Sequence, residues 1–435
     1  MSDDYEIKLA EGRYKIIESL LEESLTKTKT EIGFSDMLDK VLLNKYLGIP
    51  IFMVLAWALF QFSIEASGVF MAIIEMAVVT LGELAGGLFE GNIIAQSLVQ
   101  DGIFGGFAFI LPFLAPIFLL FLGISLLEDS GYFARATFVM DRLLRKMGVH
   151  GRTFIPMMIG FGCNVPAIMA CRSIEGEKDR MISILSNPYI SCGARLPVYV
   201  LFAGAFFVGM EGSIIFSMYF LGIAVAVFTA WLLRKTLFKG EPEPFILELP
   251  IYRMPTVRES VLHMWERGVV FLKKAGTYLL LGAILLWFMS AFGPSGFLGV
   301  DPDVSMSFTG ILGNVFQPIF APLGFDWRLT AALIFAFLAK EIAVEGLGII
   351  LAVEGEVAIQ AALVSLVSPA TAIAFMIFVL LYIPCLATVG VIKSETNSWK
   401  WTLFSVVYSI VIAFIVALLA YGIMVFAGFG VIGGI

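Results

Sequence analysis

A chain of 435 residues with 59% hydrophobic residues, 14% charged residues and a mean hydropathy of +0.94 reads as an integral membrane protein, since a soluble domain carries roughly 25% charge. Its net charge of −7 gives no nucleic-acid footprint, and four cysteines without a CxxC pair exclude a zinc ribbon or thioredoxin-type motif. The two histidines, His150 and His263, sit at no metal-ligand spacing.

Residues 1–46 are charged and helical in pattern, so no cleavable signal peptide is expected and the first span directs insertion. Tyr14, Ile17, Leu21 and Leu25 recur at helical spacing among Glu11, Lys15, Glu18, Glu22 and Glu23. They predict an amphipathic helix that packs on another domain or the membrane surface, or a solvated lead-in. A second amphipathic piece, Phe34 to Lys45, runs into Gly48-Ile49-Pro50. Beyond it, apolar runs near or above about 18 residues predict helices rather than the alternating strands of an outer-membrane barrel. The expected fold is all-α and polytopic, with about nine spans at 49–66, 105–127, 182–209, 213–232, 275–292, 307–323, 329–350, 360–383 and 401–427. The run 68–82, interrupted by Glu75, is expected as a separate interfacial helix. The run 151–170, broken by Pro156, Gly160, Gly162 and Pro166, is expected to be re-entrant or discontinuous.

Lys and Arg collect in 1–45, 135–152, 172–180 and 234–274 and at Lys393 and Lys400, and are absent from 83–104, 293–306, 351–359 and the tail. Nine spans with the N-terminus inside and the C-terminus outside put every basic segment on the cytoplasmic side of the cell membrane. Pro242, Pro244, Pro250 and Pro255 make the first half of 234–274 extended. Val257 to Lys274, bearing Arg258, Arg267, Lys273 and Lys274, follows as an amphipathic helix. The organisation expected is a cytoplasmic helical linker (1–46), a first membrane half (47–233), a cytoplasmic loop and helix (234–274) and a second membrane half (275–435).

Chemistry concentrates between Gly160 and Tyr199. Cys163 and Cys192 stand beside helix breakers and the polar neighbours Asn164 and Ser191. Backbone that cannot pair inside a membrane must line a cavity or bind something, and thiolates are soft metal ligands. Cys171, followed by Arg172 in a charged connector, reads as a small buried hydrophobe. The second half answers Tyr189-Ile190-Ser191-Cys192-Gly193-Ala194 with Tyr382-Ile383-Pro384-Cys385-Leu386-Ala387, identical at four of six positions. The two signatures run in opposite directions, as an inverted repeat requires. Pro384 frees a carbonyl one turn earlier, which suits a cation site beside Cys385 or a plain kink. Lys340, Glu341 and Glu345 interrupt an apolar segment, and a charge at the bilayer centre costs about 2.5–3.5 kcal/mol on insertion scales. Glu341 and Glu345 share one helix face, for cation coordination, proton coupling or a gate ion pair, while Lys340 needs its own partner across helices. Arg195 reads as an intramembrane pairing residue, and Glu395 as a vestibule ligand or an interfacial charge.

These stretches resemble the FeoB family of bacterial and archaeal ferrous-iron transporters. The likeness is carried by Gly160 to Ala167, Ser191 to Tyr199, Lys340-Glu341, Tyr382 to Thr388, and Glu395 with Ser398-Trp399-Lys400-Trp401. It spans essentially the whole membrane region, and the segment from Arg13-Tyr14 to about Lys45 is similar to the linker that follows the family's GTP-binding domain. The resemblance implies two gate motifs whose cysteines serve iron passage, with Fe²⁺ as the transported ion and no permanently bound cofactor. The metal ligands it suggests are Cys163, Asn164, Ser191, Cys192, Glu341, Cys385 and Glu395. Fe²⁺ stands low in the affinity order, so selectivity would rest on mixed sulfur and oxygen ligands and on metal supply. No Gly-x-x-x-x-Gly-Lys-Ser/Thr phosphate loop occurs here, and the first 46 residues cannot hold a GTPase fold. The chain is therefore expected to be no enzyme by itself, with GTP acting through a separate domain or a protein in trans. Further expected partners are a small FeoA-like accessory protein, the lipid bilayer and other copies of the chain, with no nucleic acid. Other readings are a zinc or manganese transporter, a gate-type carrier of nucleosides or organic solutes, or a membrane anchor that only docks a GTPase.

Overall fold

The structure, a computed structural model, describes residues 16–17, 34–44, 47–89, 91–112, 114–146, 151–239, 252–272, 277–298, 304–351, 353 and 356–430. Most of the expected lead-in helix and of the extended half of 234–274 lies outside the described residues. The described chain is almost all helix. Its one strand pair is a short antiparallel hairpin, β1 (Phe292–Gly293) with β2 (Gly296–Phe297).

After α1 (Phe34–Leu42) comes α2 (Gly48–Gly87), one unbroken helix of 40 residues. The expected separate interfacial helix at 68–82 is thus corrected. Glutamate is a good helix former, so Glu75 interrupts the apolar run without interrupting the backbone. A short α–π–α run, Ile93 to Ile110, leads to α3 (Leu114–Asp129), which turns by 81° into α4 (Tyr132–Lys146). Gly131 supplies the positive φ of 80° at that corner. Next stand α5 (Phe154–Gly162), α6 (Asn164–Ala170) and α7 (Glu177–Ser186), then two 3₁₀ turns and α8 (Leu196–Phe206). The first half closes with α9 (Glu211–Thr236).

The remainder comprises α10 (Val257–Phe271), α11 (Thr277–Ala291), the hairpin, α12 (Phe308–Phe320), α13 (Trp327–Leu338), α14 (Ile342–Leu351), α15 (Glu356–Leu366), α16 (Pro369–Leu381), α17 (Leu386–Thr396) and α18 (Trp399–Phe426). Five helical stretches among the described residues are long and apolar enough to cross a bilayer: Pro50–Gly87, Glu177–Phe206, Glu211–Thr236, Pro369–Thr396 and Trp399–Phe426. Counting the pairs α3–α4 and α12–α13, the latter bent by 105°, raises the number to seven. The count of nine is not reproduced. Hydropathy adds apolar residues across a break in the backbone, so 329–350 and 360–383 look continuous where the chain is divided.

Every residue of α16 is buried, and a helix apolar on all sides belongs at the centre of a bundle. It packs along α18 and against α8 and α9. One core cluster gathers α8, α13, α14 and α16, and a second gathers α3, α5, α6, α7 and α17. Phe161, next to the Cys163 break, packs against both. At the bundle's edge α1 is held by a three-way contact. Arg135 of α4 donates from Nε to Asp39 at 3.0 Å, Tyr252 donates to the same carboxylate at 2.7 Å, and the guanidinium lies 4.0 Å from the Tyr252 ring centre. Burial pushes the Asp39 carboxyl up, but the bonds from Arg135 and Tyr252 outweigh it and hold the group below its ordinary value.

Candidate functional site

Four interrupted helices meet between the two core clusters. The first break is a single residue: Cys163 adopts extended backbone, φ −152° and ψ 129°, between α5 and α6. The second runs from Asn187 to Arg195, between α7 and α8. Ala339-Lys340-Glu341 separate α13 from α14, and Tyr382 to Cys385 separate α16 from α17. Proline and glycine account for two of these breaks locally. Pro188 and Gly193 interrupt the second, and Pro384 cannot donate the amide that would carry α16 onward.

The breaks put the cysteines at equivalent positions. Cys163 is the N-cap of α6, Cys385 the N-cap of α17, and Cys192 the N-cap of the 3₁₀ turn that opens α8. Glu341 directly precedes α14. A helix N-terminus carries unpaired amides and the positive end of the helix dipole, and the thiolate is the form of cysteine that binds metal. All four cysteines of the chain are free. Cys163 lies within electrostatic reach of Cys385, Cys192 and Glu341. Among the described residues no three His, Cys, Asp or Glu side chains close into a chelate, so the sulfurs are neighbours, not a finished cage.

Two buried cations brace the breaks. Arg195, 1% exposed, donates from Nη1 to the Ile190 carbonyl and from Nη2 to the Pro188 carbonyl, each at 2.8 Å. Lys340, 2% exposed, donates from Nζ to the Ile383 carbonyl at 2.6 Å and stands 3.3 Å from the centre of the Tyr382 ring. Ile190 and Ile383 hold the same place in the two echoing signatures, two residues before Cys192 and Cys385. Each half therefore satisfies the same backbone oxygen with a buried positive charge. That supports the internal repeat beyond the six-residue match.

The expected ligands divide into those that gather and those that do not. Cys163, Cys192, Cys385 and Glu341 gather. Asn164 is buried beside Cys163, and its Oδ1 has no hydrogen-bond partner. Ser191 shares a hydrogen bond with the Tyr199 hydroxyl, 3.1 Å away. Glu395 lies apart at the end of α17, where Arg172 grips both its oxygens at 2.6 and 2.5 Å. That bidentate pair ties the turn after α6 to α17, joining the two halves. Cys171 is buried and bonded to Ser183 at 3.5 Å, in keeping with its bland reading. Two residues escaped the sequence reading. Thr388 contacts the Cys385 sulfur at 3.1 Å, and its signal was a hydroxyl three residues after a cysteine. Asn187 is fully buried with both amide atoms unpartnered, and its signal was an Asn-Pro step in an apolar run.

Comparison with known proteins agrees with this architecture. The Gate model, described as nucleoside recognition, matches residues 110–206 and 272–399. The FeoB_C model, described as ferrous iron transport protein B C terminus, matches residues 215–267. A protein of Methanocaldococcus jannaschii named Fe(2+) transporter FeoB is 43% identical over 95% of this chain and 62% of its own length. One of the same name from Campylobacter jejuni is 38% identical over 92% of this chain and 67% of its own length. A Porphyromonas gingivalis protein named Fe(2+) transport protein A/Fe(2+) transporter FeoB fusion protein is 38% identical over 97% of this chain and 55% of its own. The chain thus spans somewhat more than half the length of these relatives. No solved structure matches it. With both gate segments and the segment between them matched, and the cysteine-bearing breaks inside the gates, the chain belongs to the FeoB family and corresponds to its membrane and C-terminal region.

Proposed function

We propose that the chain is the permease part of a ferrous-iron uptake system, passing Fe²⁺ across the cell membrane along Cys163, Cys192 and Cys385 with oxygen from Asn164, Ser191 and Glu341 and, at the periphery, Glu395. The observation that carries this reading is the position of three free cysteines at the N-terminal ends of interrupted helices that converge on one region. Metal binding to a thiol releases its proton. The relatives' printed names, Fe(2+) transporter, support iron as the ion. The fusion relative's name supports a small FeoA-like partner. A GTP-binding domain or protein would gate passage from the cytoplasmic side. The distribution of basic residues supports an N-terminus on that side and a C-terminus outside.

The test is Fe²⁺ flux into vesicles containing the chain, with and without a cognate GTPase and GTP. Cys163→Ser with Cys192→Ser is expected to abolish flux, and unchanged uptake in that double variant would sink the thiol pathway. Zn²⁺ and Mn²⁺ run in parallel identify another metal as cargo. The Gate description, nucleoside recognition, makes metal-independent nucleoside binding the remaining outcome to measure.

A further inference from the structure

We propose that Asn164 and Asn187 form an oxygen-donor subsite for a divalent cation beside Cys163, kept open by Gly160, and that this subsite favours harder cations over zinc. The proposal rests on the metal-transport reading above. Asn164 is 3% exposed and Asn187 is 0% exposed. Asn164 Oδ1 and both Oδ1 and Nδ2 of Asn187 have no hydrogen-bond partner among the described residues. Buried amides are ordinarily bonded, and these two do not bond each other. Arg195 commits Nη1 to the Ile190 carbonyl and Nη2 to the Pro188 carbonyl.

Gly160 explains how the amides come together. A Cβ at that position would stand 2.6 Å from Asn187 Oδ1 and 3.3 Å from Asn164 Oδ1. Both amide oxygens therefore lie against Gly160, with Ile190 Cγ2 at 3.2 Å from the same position, and a methyl group there would crowd them. The three residues come from the two breaks of the first gate. Gly160 is in the last turn of α5, Asn164 opens α6, and Asn187 starts the 3₁₀ turn after α7. Asn164 follows Cys163 directly, so sulfur and amide oxygen are supplied side by side. Thiolates alone rank zinc and copper(I) above Fe²⁺, whereas carbonyl oxygens suit harder ions such as Mn²⁺. A cation that meets both donor types in succession is selected by neither alone.

Equilibrium binding to the purified chain tests this, with Mn²⁺ followed by electron paramagnetic resonance and Zn²⁺ by competition with a chromophoric chelator. Asn187→Leu, which keeps the volume, and Gly160→Ala, which fills the gap from the other side, are each expected to weaken Mn²⁺ binding about tenfold and Zn²⁺ binding by less than about twofold. Asn187→Asp, which keeps an oxygen in place, should retain Mn²⁺ binding. Cys163→Ser should reverse the preference, weakening Zn²⁺ more than Mn²⁺. Unchanged Mn²⁺ affinity in folded Asn187→Leu and Gly160→Ala would overturn the subsite, as would equal losses for the two metals, which mark a structural role. A wild-type chain that binds no Mn²⁺ also overturns it. Because the readout is binding, it is separate from flux. Mn²⁺ bound through Asn187 in a chain that moves no metal would sink the transport reading and leave the subsite standing.

Discussion

The two gates brace the same carbonyl by different means. In the first, Arg195 reaches back five and seven residues within its own break, to Ile190 and Pro188. In the second, Lys340 reaches 43 residues along the chain, from the α13–α14 break to Ile383 in the α16–α17 break. A guanidinium is a planar fork that can satisfy two carbonyls at once, and an ammonium on a flexible stem is a point charge. The first gate is therefore a self-contained unit, and the second exists only while two interrupted helices stay together. Lys340 is thus the direct tie between the α13–α14 break and the α16–α17 break.

The comparison breaks first at Arg195. Arg195→Met is expected to cost about 2–6 kcal/mol, since it orphans two buried carbonyls, read as the melting shift of the detergent-solubilised chain. Lys340→Met should cost less, about 1–3 kcal/mol, since it orphans one carbonyl. Thiol labelling then separates the gates: Arg195→Met should speed modification of Cys192 and not of Cys385, and Lys340→Met the reverse. Equal effects on both cysteines would dissolve the distinction between a local and a bridging brace.

Combining the two substitutions sharpens the same comparison. Arg195 and Lys340 lie within electrostatic range of each other, and like charges repel. Each single substitution gains the relief of that repulsion, which the double variant gains only once, so the double variant should cost more than the sum of the two by about 0.5–3 kcal/mol. Strict additivity would mean that the gates do not sense each other.

Smaller still is the peripheral link. Glu395 is almost buried, but Arg172 is 60% exposed, so Glu395→Gln is expected to cost about 1 kcal/mol or less and the loss to shrink with added salt. The smallest effect belongs to Asp39. Its carboxyl is held below the ordinary value of 3.8. A lowered carboxylate stabilises fully above the unfolded value and loses its effect as pH falls through the folded one. Melting curves of the wild type and Asp39→Asn should therefore differ at neutral pH and converge in acid.

Much of this was legible in residues. Cys163 and Cys192 stood beside Pro and Gly in an apolar chain, and backbone broken in a bilayer has to be satisfied by something. The echo between Tyr189–Ala194 and Tyr382–Ala387 pointed to two related gates. Lys340 was recognisable as a buried charge needing a partner across helices. Not legible was which carbonyl it would take, since Ile383 is a backbone oxygen with no signature of its own. Glu395 looked like a ligand because it follows Cys385 by ten residues, yet α17 carries it toward Arg172. The separate helix expected at 68–82 failed because apolarity and helicity are different properties, and Glu75 disturbs only the first.

Composition and the placing of Pro, Gly and Cys thus determined the class of molecule, the existence of the breaks and the residue types beside them, because those follow from local backbone chemistry and from the cost of polar groups in lipid. Tertiary structure alone decided that three cysteines and Glu341 share the N-terminal ends of converging helices. It also brought Asn164 and Asn187 together over Gly160 and braced the second gate from a distant helix. Convergence of segments far apart in sequence depends on how apolar faces pack, and no single segment encodes its neighbour.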